Sequence, residues 1–435
     1  MPHVNQGKIS QPTAARSPFQ DSTANKRLRK PARPERLYVL HFCDHSYGFA
    51  AAARSMGVDA QVLPPPDQES EKLGRPHSVG GECGPYVLVL GDYLKLAQSL
   101  SEDVARKSLV YMIGPDACRV GQYPVYMDKV RQELGLSTGI IQDVNEGLRA
   151  FGVSERNRQR VLLRAWEGLH VYDVIFQLYL RIRPTVSDKA QFDKAYESCC
   201  KKMFDALSEG RVRQGIDEAL HELYQAPRSD NSPRPIVAVT GDYYTRVVPF
   251  ANNQVYDQVE ALGATIWPPP TLSDSFKMSV LRDLNRDLRS NNPLGIVGDG
   301  IFYVFMAASE FRVKGSLQKK KNFNAAVSDY LGFGMWKNAS RYVDTRLPAG
   351  ITAPVATAIE QLDAGADGIL NLMTLNCLFA TVVTATLSRA LKERPGISML
   401  TLIYDGLKKT NEKTRVEAFT DQVWDHFHSR TRVHS

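Results

Sequence analysis

The sequence predicts an α/β protein with two parallel-sheet lobes, a helical insert between them and a disordered N-terminal tail. Three observations lead there. Short apolar runs alternate with helical patterns along most of the chain, which is the signature of parallel sheets covered by helices. One strand–helix–strand opening occurs twice, first near residue 60 and again near residue 265. At 435 residues the chain is also too long for one ordinary core.

The first lobe opens with Leu37-Tyr-Val-Leu-His-Phe42, read as a buried strand, then an Ala-rich helical stretch from Tyr47 to Met56. Ala60-Gln-Val-Leu63 then runs into Pro64-Pro65-Pro66. The second lobe repeats that order. Ile236-Val-Ala-Val-Thr240 is a strand, Asn253 to Leu262 is helical, and Ala264-Thr-Ile-Trp267 runs into Pro268-Pro269-Pro270. Ser108 to Ile113 adds a strand to the first lobe; Leu294 to Val297, Gly368 to Met373 and Met399 to Ile403 add strands to the second. The expected organisation is a basic tail over residues 1–35, a first lobe over 36–125, a helical insert over 126–225, a Pro- and Ser-rich linker over 226–235 and a second lobe over 236–435.

Composition narrows the function classes. With 43% hydrophobic and 23% charged residues the chain is globular. No run is expected to reach the roughly 20 apolar residues of a membrane span, and the N-terminus reads as lacking a secretory signal. A cytoplasmic protein is the expectation. The net charge of +7 is partly local, with Lys26, Arg27, Arg29, Lys30, Arg33 and Arg36 in the tail. A solvated tail explains this run without a nucleic-acid partner, because little apolar content accompanies it.

The six cysteines are sparse and irregular, so reduced thiols are expected rather than a disulfide framework. Cys83 lies in Gly80-Gly81-Glu82-Cys83-Gly84-Pro85, ahead of an apolar helical run. Cys118 and Cys377 each follow a predicted strand and precede a predicted helix. In open parallel sheets such turns line the ligand crevice, and a helix N-terminus favours thiolate there. Core packing is the alternative, because cysteine is among the most buried residue types and the separations match no compact metal signature. Cys199 and Cys200 are adjacent on a helix, point about 100° apart and read as packing. Cys43 ends the first strand and is a candidate further ligand or a structural thiol. A zinc site using Cys43 and His45 with one of the other cysteines is a third reading.

At these loops the chain resembles the 2-hydroxyacyl-CoA dehydratase superfamily, and more closely the dehydratase-like region of large CoA-enzyme activase proteins. The likeness rests on Gly81-Glu82-Cys83-Gly84-Pro85 with Leu90-Gly91-Asp92, and on Cys118-Arg119-Val120-Gly121-Gln122-Tyr123. It continues in Asp242-Tyr-Tyr-Thr-Arg246 with Pro249-Phe250-Ala251-Asn252-Asn253, in Gly365 to Val383, and in Tyr404 to Phe419. The resemblance implies two Rossmann-like lobes with a [4Fe-4S] cluster held by Cys83, Cys118 and Cys377. It implies a separate ATP-dependent activator, a CoA-thioester substrate and a homo- or heterodimer. Arg246, Asn252, Asn253 and Arg415 are then candidates for binding an anionic substrate. Tyr86 stands where related chains often carry another cysteine, and no Walker-type phosphate loop is present. A non-catalytic electron-transfer or regulatory iron–sulfur protein is the alternative, with the helical insert as a docking surface.

Overall fold

Among the described residues, eight strands form two separate four-stranded sheets, and both sheets are wired alike. The computed structural model describes residues 33–112, 118–229, 232–270, 272–318, 332–405 and 411–433. The expected tail therefore lies almost wholly outside the described residues, although Arg33 and Arg36 already belong to the folded part. The Arg33 guanidinium donates to the Phe151 carbonyl over 2.9 Å, and Arg36 pairs with Asp59.

The first lobe runs β1 (Arg36–Val39), α1 (His45–Arg54), β2 (Asp59–Val62), α2 (Gln68–Gly74), α3 (Pro85–Ser99), α4 (Glu102–Arg106), β3 (Ser108–Tyr111), α5 (Tyr123–Glu133), β4 (Gly139–Ile141) and α6 (Val144–Ala150). Three helices follow: α7 (Glu155–Ile182), α8 (Lys189–Ser208) and α9 (Val212–Gln225). The second lobe contains β5 (Ile236–Gly241), α10 (Tyr243–Val247), α11 (Val255–Ala261), β6 (Thr265–Trp267), α12 (Leu272–Ser290), α13 (Pro293–Gln318), α14 (Phe333–Ser340), α15 (Ala349–Asp363), β7 (Gly368–Thr374), α16 (Leu378–Ala390), β8 (Ser398–Tyr404) and α17 (Glu412–Val433).

The strand orders are β2-β1-β3-β4 and β6-β5-β7-β8, parallel throughout. In each sheet the chain goes first to one side of the opening strand and then to the other. The order therefore reverses between β1 and β3, and again between β5 and β7. β7 is buried along its whole length, as expected of a central parallel strand covered on both faces.

Three sequence expectations change here. Residues 126–225 are not wholly helical, because Gly139–Ile141 pairs with β3 and completes the first sheet. Leu294 to Val297 is not a strand but the first turns of α13. That helix also overturns the expectation of no span-length apolar run: Pro293–Val313 is long and apolar enough to cross a membrane by length and composition. Its outer side carries exposed Leu294, Val297, Ile301, Val304 and Phe311.

The 28-residue α7, about 42 Å long at 1.5 Å per residue, is more a shared spine than an appendage. It packs on α1 of the first lobe, and on β6 and α12 of the second. Gly48 and Gly168 set the α1–α7 crossing. A Cβ on Gly48 would lie 2.9 Å from the Gly168 carbonyl carbon, so the backbones approach only because both side chains are missing. The expected linker is pinned as well, since Ser229 N–H donates to the Thr185 carbonyl over 2.9 Å.

Candidate functional site

Ligands of open parallel sheets bind beyond the strand carboxyl ends, where the strand order reverses. Beyond β1 stands Cys43, after β3 comes Cys118, after β5 comes Asp242, and after β7 comes Cys377. Cys83 adds a fifth group from the glycine-rich loop that opens α3.

Three loops are laced together there. The Asn376 side-chain amide donates to the Gly80 and Glu82 carbonyls over 3.0 and 3.2 Å, joining a loop of the second lobe to one of the first. Asn376 adopts φ 62°, a left-handed conformation that asparagine tolerates better than most residues. Arg119 donates to the Gly81 carbonyl over 2.9 Å, and Gly84 N–H to the Leu375 carbonyl over 3.3 Å. Gly84 has no room for a side chain, because a Cβ would come within 2.2 Å of Thr374 Oγ1. Cys83, Cys118 and Cys377 are thereby carried to one place, from both lobes.

Their chemistry reflects that proximity. Burial first, then Asp242 and the other two thiols, push Cys377 up to about 12. Burial likewise drives Cys83 to about 12, with Asp242 and Cys118 adding to it and the Tyr123 phenol opposing. Tyr123 Oη lies 2.6 Å from Cys83 Sγ. Burial raises Cys118 too, against the Val120 and Arg119 N–H groups. Ala380 N–H donates to Cys377 Sγ over 3.4 Å at the start of α16. Cys377 Sγ is 4.0 Å from Asp242 Oδ1, and burial raises that carboxyl as well. Three thiols and a carboxyl thus disfavour one another's ionisation, while helix-terminal N–H groups wait to receive thiolate.

Among the described residues, no three His, Cys, Asp or Glu side chains are grouped so as to hold a metal ion.

Cys43 is engaged elsewhere. Its sulfur is 2.7 Å from His45 Nδ1 and 2.9 Å from Tyr243 Oη. Cys199 and Cys200 are buried in the core between α7, α8 and α9, as their spacing suggested. Compared with known proteins, the chain matches no family model and no curated sequence.

The anion-binding candidates scatter. Arg246 is 4% exposed, its charge disfavoured by burial, and its Nε reaches the Asp242 carbonyl over 3.3 Å. Asn252 closes its own turn by donating to the Thr245 carbonyl over 2.8 Å. Asn253 donates to Glu412 over 3.3 Å, and Arg415 donates to the Thr401 carbonyl over 2.6 Å. These last three hold α17 and the turn after α10 in place. Sequence reasoning gave no role to Asp242, Tyr123 or Asn376. The aspartate ending β5 carried the one usable signal, since it sits in the same strand-to-helix position as the cysteines.

Proposed function

We propose that this chain is an iron–sulfur protein of the 2-hydroxyacyl-CoA dehydratase type. Its two lobes are Rossmann-like, and Cys83, Cys118 and Cys377 hold a [4Fe-4S] cluster. It passes low-potential electrons from a separate ATP-dependent activator to a CoA-thioester substrate. The observation that carries this reading is the meeting of three thiols, from three loops and both lobes, around one carboxyl.

The donor set fits the group. Thiolates are the ligands that iron–sulfur clusters take, and bound iron would offset the burial, and the smaller repulsion from Asp242, that raise all three thiols. A bound cluster supplies one-electron chemistry. The chain's own residues do the rest. Tyr123 orients Cys83, Ala380 N–H steadies Cys377, and the N–H groups of Arg119 and Val120 steady Cys118. Asn376 and Arg119 hold the loops in register.

Anaerobic purification followed by iron and acid-labile sulfide analysis tests the reading. Near-equal iron and sulfide are expected, together with their loss in Cys83→Ser, Cys118→Ser and Cys377→Ser. Iron-free protein after anaerobic reconstitution would refute it. A spectral change on adding an acyl-CoA separates an enzyme from an electron carrier.

A further inference from the structure

Beside the three-cysteine site lies a second reactive group that the cluster does not use. Cys43 Sγ stands 2.7 Å from His45 Nδ1. The other ring nitrogen, His45 Nε2, stands 2.8 Å from Asp173 Oδ1. Asp173 is in turn held through Oδ2, which accepts from Ser273 N–H over 3.2 Å and from Ser273 Oγ over 2.6 Å. Nucleophile, base and orienting carboxylate therefore follow one another at hydrogen-bond distance.

The backbone singles out the same residue. Cys43 has φ 114° without being glycine, in the turn between β1 and α1. A strained strand-to-helix turn of this kind presents a nucleophile at the head of a helix. All three side chains are buried, with Cys43 at 3%, His45 at 4% and Asp173 at 3% exposure. Burial alone would strip the His45 proton, but the Cys43 sulfur and the Asp173 carboxylate outweigh it and hold His45 well above its ordinary value. The Tyr243 hydroxyl rests 2.9 Å from the sulfur, and Tyr243 is half-buried.

We propose that Cys43, His45 and Asp173 form a Cys–His–Asp site for acyl transfer from a thioester. Cys43 Sγ forms a bond to the thioester carbonyl carbon. As the tetrahedral adduct collapses, the bond to the leaving sulfur breaks, and the His45 proton passes to that sulfur to give a free thiol. Acyl-Cys43 and neutral His45 remain. The inference takes its substrate class from the function proposed above and nothing from the iron chemistry.

The test incubates the full-length protein with acetyl-CoA, maps acetylated peptides by mass spectrometry and measures iron on the same sample. A hydroxylamine-labile acetyl group on the Cys43 peptide, absent in Cys43→Ala, is expected. His45→Gln should slow its formation roughly a hundredfold. Asp173 is a positioning residue, so Asp173→Asn should lower the maximal acylation rate while leaving half-saturation unchanged. The inference is overturned if Cys43 stays unacetylated in folded wild-type protein, or if His45→Gln acetylates at the wild-type rate. Acetylation in iron-free protein would sink the cluster reading alone, and iron-loaded protein without acetylation would sink this one alone.

Discussion

Replacing Asp92 with asparagine should stabilise the protein at pH 8 and change little at pH 4. Asp92 is 5% exposed on α3, and burial raises its carboxyl to about 7. Its partner is Ser70 Oγ, 2.5 Å away. The same hydroxyl lies 3.0 Å from Asp67 Oδ1 as donor and accepts from Asp67 N–H over 3.2 Å. A hydroxyl has one proton, so it cannot serve two carboxylates at once. A protonated Asp92 resolves the conflict by donating to Ser70 Oγ, which frees the serine proton for Asp67.

The pH dependence follows from that proton. Between about 4 and about 7 the folded chain keeps a proton on Asp92 that the unfolded chain has lost. Stability is therefore fully present below pH 4 and drains away as pH rises through this window. The shift of about three units corresponds to roughly 4 kcal/mol as an upper bound. In Asp92→Asn the side-chain amide donates to Ser70 at every pH and escapes the loss. Urea titrations of wild type and Asp92→Asn at pH 4, 6 and 8 measure the difference. The reasoning fails if the variant's advantage does not grow with pH, or if the variant is the less stable one at pH 8.

Other expectations are quickly checked. Asn376→Ala removes two hydrogen bonds between the lobes; it should cost about 1 kcal/mol of stability and, on the cluster reading proposed above, hasten iron loss to a chelator by severalfold. Gly168→Ala forces a Cβ to within 2.7 Å of Gly48 Cα, and overpacking there should cost about 1–3 kcal/mol in a urea titration. Lys277 is buried between Asp274 at 2.9 Å and Glu310 at 3.0 Å. Lys277→Met removes a cation from between two buried carboxylates and should cost about 3–5 kcal/mol, seen as a lower thermal midpoint.

Much of the architecture was readable because the two proline triplets mark the same turn in each lobe and frame strands of plain β composition. The errors have physical reasons. Gly139–Ile141 is a three-residue edge strand, too short to show a period. Leu294 to Val297 is an apolar run that suits strand or helix equally, and the apolar pattern continuing to Val313 decides for helix. The cysteine loops could be placed because a strand end followed by a helix start is visible in sequence. Their lacing was not, since Asn376 bonds to carbonyls almost 300 positions away along the chain. Asp173 was equally hidden, as nothing in the middle of a long helix announces that it faces His45.

The stitching of the loops by Asn376 and Arg119 separates folding from loading. Zinc fingers collapse when stripped because the ion supplies their missing core; here peptide carbonyls and a shared spine helix already tie the loops together. On the cluster reading proposed above, stripping the iron should therefore leave a folded chain rather than an unravelled one.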